Sequence, residues 1–137
     1  MLHEIEIKGR GFNALKDFQS WRIAVLGYES NINSIEGINM LGKHFETDEV
    51  FVLIKGKAYM ITSGYNDIPS DTKIIELKNE HMYVVKENQW HAALLEPGSK
   101  LLIIENQNTD DSNSMDHILS GGEKAIIQKE FKKYIQE

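Results

Sequence analysis

The sequence predicts a mainly β domain, an antiparallel sandwich or barrel, followed by one C-terminal helix. Three observations carry that expectation. Runs of β-type residues about six long recur at 21–28, 37–44, 50–54, 58–62, 73–77, 82–85, 90–95 and 101–105. Turn signals separate them, among them Lys55-Gly56, Ser63-Gly64, Ile68-Pro69-Ser70, Lys78-Asn79 and Pro97-Gly98-Ser99. No long helical pattern lies between the runs, which favours antiparallel pairing over strand–helix–strand units.

The elements follow in chain order. In "FNALKDF", residues 12–18, Asn13 is placed to cap one or two turns of helix before the first long strand. The run at 50–54 is apolar on both faces, because Val50, Val52 and Ile54 alternate with Glu49, Phe51 and Leu53. One face is expected to line the interior, and the other to be covered by a second layer or a partner subunit. Residues 107–119 are rich in Asn, Asp, Ser and Thr and read as a polar loop, either a solvated connection or a flap over one barrel end. Ser120-Gly-Gly-Glu123 then has capping-box spacing, and Ile127, Phe131, Tyr134 and Ile135 recur at helical spacing, which predicts a helix over 121–135 packed on the barrel.

Composition bounds the function. The 137 residues, 41% of them hydrophobic, suit one domain spanning 1–137 with its barrel core at about 20–106. A net charge of -6 argues against nucleic acid, since counterion release needs clustered Lys and Arg. The longest apolar runs, such as Leu101-Leu-Ile-Ile104, fall far short of the roughly 20 residues of a membrane helix. The start "MLHEIEIKGR" lacks a signal peptide's apolar segment, so a cytoplasmic location is expected. Cysteine is absent, so any metal must be held by His, Asp or Glu.

The stretch "GKHFETDEVFVLIKG", residues 42–56, places His44 and Glu49 on either side of the polar turn Phe45-Glu-Thr-Asp48. If His44 ends one strand and Glu49 begins the next, a hairpin across that turn brings an imidazole and a carboxylate together. Four residues separate His44 from Glu49, and six more separate Glu49 from Gly56. Further on, "EHMYVVKENQWH" ends on His91 at the start of another predicted strand.

These two stretches resemble the paired motifs of the cupin superfamily. The first family motif is a glycine, a His-x-His pair, a glutamate and a closing glycine; His44, Glu49 and Gly56 match it, with Gly42 at the first-histidine position. The second is a glycine, a Pro-x-Gly turn and a histidine; His91 matches, with Glu80, Lys86 and Asn88 at the turn positions. The resemblance covers roughly residues 20 to 106 and implies a double-stranded antiparallel β-helix, the jelly-roll barrel. It also implies that His44, Glu49 and His91 hold a divalent ion, Fe, Mn, Ni or Zn, with open positions for a small polar substrate. Gly42 leaves two outcomes, a site of two histidines and one carboxylate, or an abandoned site and no cofactor.

Around those three, Met40, Gly42, Phe51 and Glu105 are candidate substrate contacts. Met40 alternates with Gly42 and His44, Phe51 shares Glu49's face, and Glu105 ends the last strand. Glu46 and Asp48 flank the turn, where Asp48 is expected to brace the backbone. His3, His81 and His117 are read as solvated. Trp90 and Trp21 are read as packing anchors on an outer face or a dimer interface. No Ser-His-Asp grouping or phosphate-cradling glycine loop is present. The expected function is therefore a metal-dependent isomerase, lyase or dioxygenase acting on a small molecule, or else a metal-free ligand-binding or sensing module. A homodimer is expected in either case, because strands apolar on both faces need cover.

Overall fold

In the computed structural model, which describes residues 1–135, ten strands build two antiparallel sheets. The strands are β1 (Gly11–Phe18), β2 (Trp21–Gly27), β3 (Met40–His44), β4 (Glu49–Lys55), β5 (Ala58–Thr62), β6 (Lys73–Glu76), β7 (Met82–Val85), β8 (His91–Leu95), β9 (Lys100–Asn106) and β10 (Ser114–Ile118). A single turn of helix, α1 (Ser30–Asn33), follows β2, and α2 (Gly121–Lys132) follows β10. The first sheet has the order β1-β2-β9-β4-β7 and the second β10-β3-β8-β5-β6. Consecutive strands β3 and β4 lie in different sheets, so residues 45–48 form a corner from one layer to the other.

Strand alternation decides what fills the space between the sheets. Phe51 and Leu53 of β4, Leu101 and Ile103 of β9, and Ala93 and Leu95 of β8 belong to one buried cluster, the interior of the sandwich. The second sheet is covered on its other face as well. There Leu41, Tyr59, Ile61 and Leu94 pack with Ile127 and Phe131 of α2, and the Tyr59 and Phe131 rings meet edge to face at 4.9 Å. The capping box at the start of α2 is as expected, Ser120 Oγ accepting from the Glu123 amide and Glu123 Oε1 from the Ser120 amide. The helix ends at Lys132, three residues short of the predicted bound.

Three segments depart from the sequence expectation. Residues 45–48 are a corner between sheets and not a hairpin, because β4 pairs with β7 and β9 rather than with β3. "FNALKDF" is strand β1, which pairs along β2 from Gly11↔Gly27 to Phe18↔Trp21. A whole ladder of backbone hydrogen bonds outweighs one capping residue, and Asn13 instead donates to the Arg10 carbonyl. The segment at 107–119 is a polar loop only in its first half. After a 3-10 turn at Asp111–Asn113, residues Ser114–Ile118 add strand β10 to the edge beside β3, in register Ser114↔His44 and Asp116↔Gly42. Met115 and Ile118 are the β-type residues in this strand, too few to stand out from their polar neighbours.

The turn positions keep the expected backbone shape. Gly56 has φ +83, and a Cβ there would lie 2.2 Å from Ser99 Oγ, so glycine is required. Glu80 and Asn88, which stand where glycine was expected, adopt φ of 62 and 67. The left-handed turns survive with residues that tolerate them less well.

Candidate metal centre

Three side chains from both sheets converge at one end of the sandwich. His44 is the last residue of β3, Glu49 the first of β4 across the corner, and His91 the first of β8. Gly42↔His91 is the one described register pair joining β3 to β8, so the imidazoles stand on neighbouring strands, with ring centroids 5.5 Å apart. Glu49 reaches across from the other sheet, its Oε1 lying 2.8 Å from His91 Nε2 and 3.3 Å from His44 Nε2. One donor atom from each residue lies within 4.8 Å of the others.

The outward ring nitrogens fix the inward ones. His91 Nδ1 lies 3.0 Å from the Gln89 carbonyl oxygen, which only accepts, so this nitrogen carries the proton. His44 Nδ1 lies 2.7 Å from Ser114 Oγ, whose hydroxyl is in turn 3.5 Å from Asn113 Oδ1, a chain that runs outward if His44 Nδ1 also donates. Neutral His44 and His91 in these tautomers both aim an Nε2 lone pair at one carboxylate oxygen. A cation must lie among those three acceptors, either a proton or a metal ion.

The charges agree with that geometry. Burial opposes ionisation of Glu49, but the hydrogen bonds and charges of His44 and His91 outweigh it and bring its carboxyl down to about 2. Burial likewise opposes a proton on His44, and the hydrogen bond and charge of Glu49, with the charges of Glu105 and Asp116, raise its affinity for one. The donor set also fits an ion. Donors sharing a metal at about 2.1 Å stand roughly 3.0–3.4 Å apart, near the spacings found here, and ligating histidines characteristically donate their other nitrogen to a carbonyl or hydroxyl.

The backbone holds the three in place. The Asn88 amide donates to the His44 carbonyl at 2.7 Å, tying the β7–β8 turn to the end of β3. Asp48 accepts from the Glu87 amide and from Lys86 Nζ, both at 2.9 Å, so its carboxylate braces the neighbouring turn. Glu46 accepts from Asn113 Nδ2 at 3.3 Å, which holds it to the turn before β10.

Of the candidate substrate contacts, Phe51 is buried with its ring edge-on to His91 at 6.0 Å, where it forms an apolar wall. Glu105 lies one step beyond the Val50↔Ile104 pair on the inner side of β9. Burial and then the charge of Glu49 push its carboxyl up to about 7, although Arg22 Nη1 stands 3.5 Å away. Glu105 also lines a surface hollow of about 440 Å³ with Thr47, Val50 and Asn106. Gly42 is open, a Cβ there meeting Asp116 Oδ1 at 3.5 Å and the Met115 carbonyl at 3.8 Å. Met40 shares the strand face of Gly42 and His44, but at the far end of β3, opposite Ile118, it is 40% exposed.

His3 and His81 are exposed. His117 is half-buried, its Nε2 3.0 Å from both Glu123 carboxylate oxygens and its ring 5.9 Å from that of Trp90. Strand β10 carries it back over the second sheet, which the polar sequence around it concealed. Trp90 is an anchor, but within the chain: it is 1% exposed, donates Nε1–H to the Asn66 carbonyl and lies under Lys43 Nζ at 4.6 Å. Trp21 is 40% exposed. Ser114 and Asp116, which face the site from β10, escaped sequence reasoning because one serine and one aspartate in a polar stretch carry no signal of their own.

No protein-family model matches the sequence, and none of the curated proteins does. Solved structures are similar in fold. The QdtA 3,4-ketoisomerase from Thermoanaerobacterium thermosaccharolyticum, solved with TDP, superposes with a TM-score of 0.54 at 17% identity over 84% of this chain and 88% of its own. Iron(II) HppE gives 0.52 at 19% identity over 69% of this chain and 48% of its own, so this chain spans about half its length. A cupin-2 domain protein from Shewanella frigidimarina gives 0.50 at 18% identity over 71% of this chain and 80% of its own. With two packed antiparallel sheets, a C-terminal helix and these structural neighbours, the chain is a small protein of the cupin fold.

Proposed function

We propose that His44, Glu49 and His91 hold a divalent ion, Fe, Mn, Ni or Zn, and that the protein acts on a small polar molecule at that ion. One observation carries the reading: the Gln89 carbonyl fixes His91 from outside, and the Nε2 atoms of His91 and His44 both converge on one carboxylate oxygen. When bound, the ion supplies Lewis acidity or a site for oxygen chemistry. The chain's own residues do the rest. Phe51 excludes water behind His91, and Glu105 adds a second carboxyl beside Glu49.

A substrate with oxygen donors, a sugar derivative or a carboxylate, suits an ion held through three protein ligands, and isomerase, lyase and dioxygenase chemistry are all compatible with it. The QdtA ketoisomerase and iron(II) HppE lend support as similarly folded proteins with a nucleotide and a metal in their solved structures. Gly42 favours a second reading, a metal-free binding or sensing module, because no side chain fills that position. A cytoplasmic homodimer completes the proposal.

The deciding measurement is elemental analysis of untagged protein purified without chelators, beside His91→Ala. The expected result is close to one transition-metal ion per chain in the wild type and loss of it in the variant. No metal in either, even after reconstitution, would overturn the reading in favour of the metal-free module.

A further inference from the structure

Gly42 raises a chemical question that the three-residue site leaves open. It has no side chain to offer, yet it stands between His44 on its own strand and His91 on the next. On its other side, β10 sets Asp116 directly opposite it. Asp116 shares a strand face with Ser114, two residues away, whose Oγ lies 2.7 Å from His44 Nδ1. That face is therefore the one turned toward the site.

The glycine makes room for this carboxylate. A Cβ at residue 42 would be 3.5 Å from Asp116 Oδ1, so the aspartate leans over the place where a side chain from β3 would begin. Among the described residues Asp116 makes no hydrogen bond or ion pair, whereas Asp17, Asp48 and Asp110 are each bound to a partner. It is exposed, and its carboxylate lies outside the cluster formed by the other three donors. Turning toward an ion would give up no hydrogen bond or ion pair among the described residues.

We infer that Asp116 is a fourth ligand of the ion held by His44, Glu49 and His91, supplied from β10 in place of a side chain at residue 42. The inference rests on the metal-binding reading of those three residues. It gives the site two imidazoles and two carboxylates. Such a set is harder than one with three imidazoles, and it favours manganese(II) or iron(II) over zinc relative to a three-histidine site.

The test is titration of metal-free protein with manganese(II) and zinc(II) by calorimetry, on the wild type, Asp116→Asn, the double variant Gly42→His/Asp116→Asn, and His91→Ala. Because Asp116 is exposed and unpaired, the metal-free Asp116→Asn protein should melt with the wild type. Expected results are manganese(II) binding at least tenfold weaker in Asp116→Asn, and recovery in the double variant, with the preference moved toward zinc(II). Wild-type binding left unchanged by Asp116→Asn would overturn the fourth ligand while keeping the three-residue site. Weaker binding that histidine at 42 does not restore would reduce Asp116 to a distant charge and also overturn it. Wild-type protein that binds neither ion would overturn the underlying reading and this one together.

Discussion

Glu105 and Ser114 show what single side chains add to the site. Glu105 binds its proton more tightly in the folded chain, at about 7 against an ordinary 4.5, chiefly through burial and then through Glu49. A raised carboxyl stabilises the fold fully below its unfolded value, and that contribution is lost as pH rises through the folded value. The metal-free protein should therefore lose stability from Glu105 as pH climbs from about 4.5 to 7 and beyond. Glu49, held low, acts in the opposite sense and loses its contribution as pH falls toward about 2. In thermal melts of metal-free protein, Glu105→Gln should raise the melting temperature at pH 8 and leave it nearly unchanged at pH 5. A lower melting temperature at pH 8 would contradict the assignment. Ser114→Ala removes the hydroxyl that orients His44, and should weaken metal binding about tenfold with little effect on metal-free stability. Titration of the variant checks it.

At the level of elements, the β7–β8 turn and the C-terminal helix have separable effects. Asn88 sits at φ 67 and its amide holds the His44 carbonyl. Asn88→Val should cost about 1–2 kcal/mol in urea unfolding and weaken metal binding, because β-branched residues resist the left-handed region, whereas Asn88→Gly should keep both. Phe131, by contrast, packs on Tyr59 over the outer face of the second sheet. Phe131→Ala should destabilise by about 3 kcal/mol and leave the metal affinity unchanged. These elements also show what was legible in the sequence. Strand β7 was read at its bounds and β4 within a residue of them, because alternating and β-branched residues between clear turns leave little choice. His44, Glu49 and His91 were readable because their spacing matched a known pattern. β1 and β10 were not, since their sequences are mostly polar and carry no strand pattern, whereas β6 and β7, edge strands too, are marked by β-type residues. With β10 hidden, so were Ser114 and Asp116.

For the whole molecule, the two sheets differ in how they are covered. The second is buried on both faces by the interior and by α2. The outer face of the first carries Val50 opposite Val84 and Ile104, and Val52 opposite Met82 and Leu102, with Met82 65% exposed. This is the surface on which the proposed homodimer would form. Light scattering should give twice the chain mass for the wild type and a single chain mass for Val52→Lys; a wild-type monomer at all concentrations would remove the dimer. The site itself joins parts of the chain that are remote in sequence, His91 lying 42 residues from Glu49 and Ser114 lying 70 from His44. Contacts of such separation carry a large loop-closure cost, so we expect them to close after the local strand pairs. An ion bound there therefore arrives too late to speed folding, and acts by holding the finished structure shut. In stopped-flow experiments, metal should leave the refolding rate nearly unaltered and prolong the lifetime of the native state.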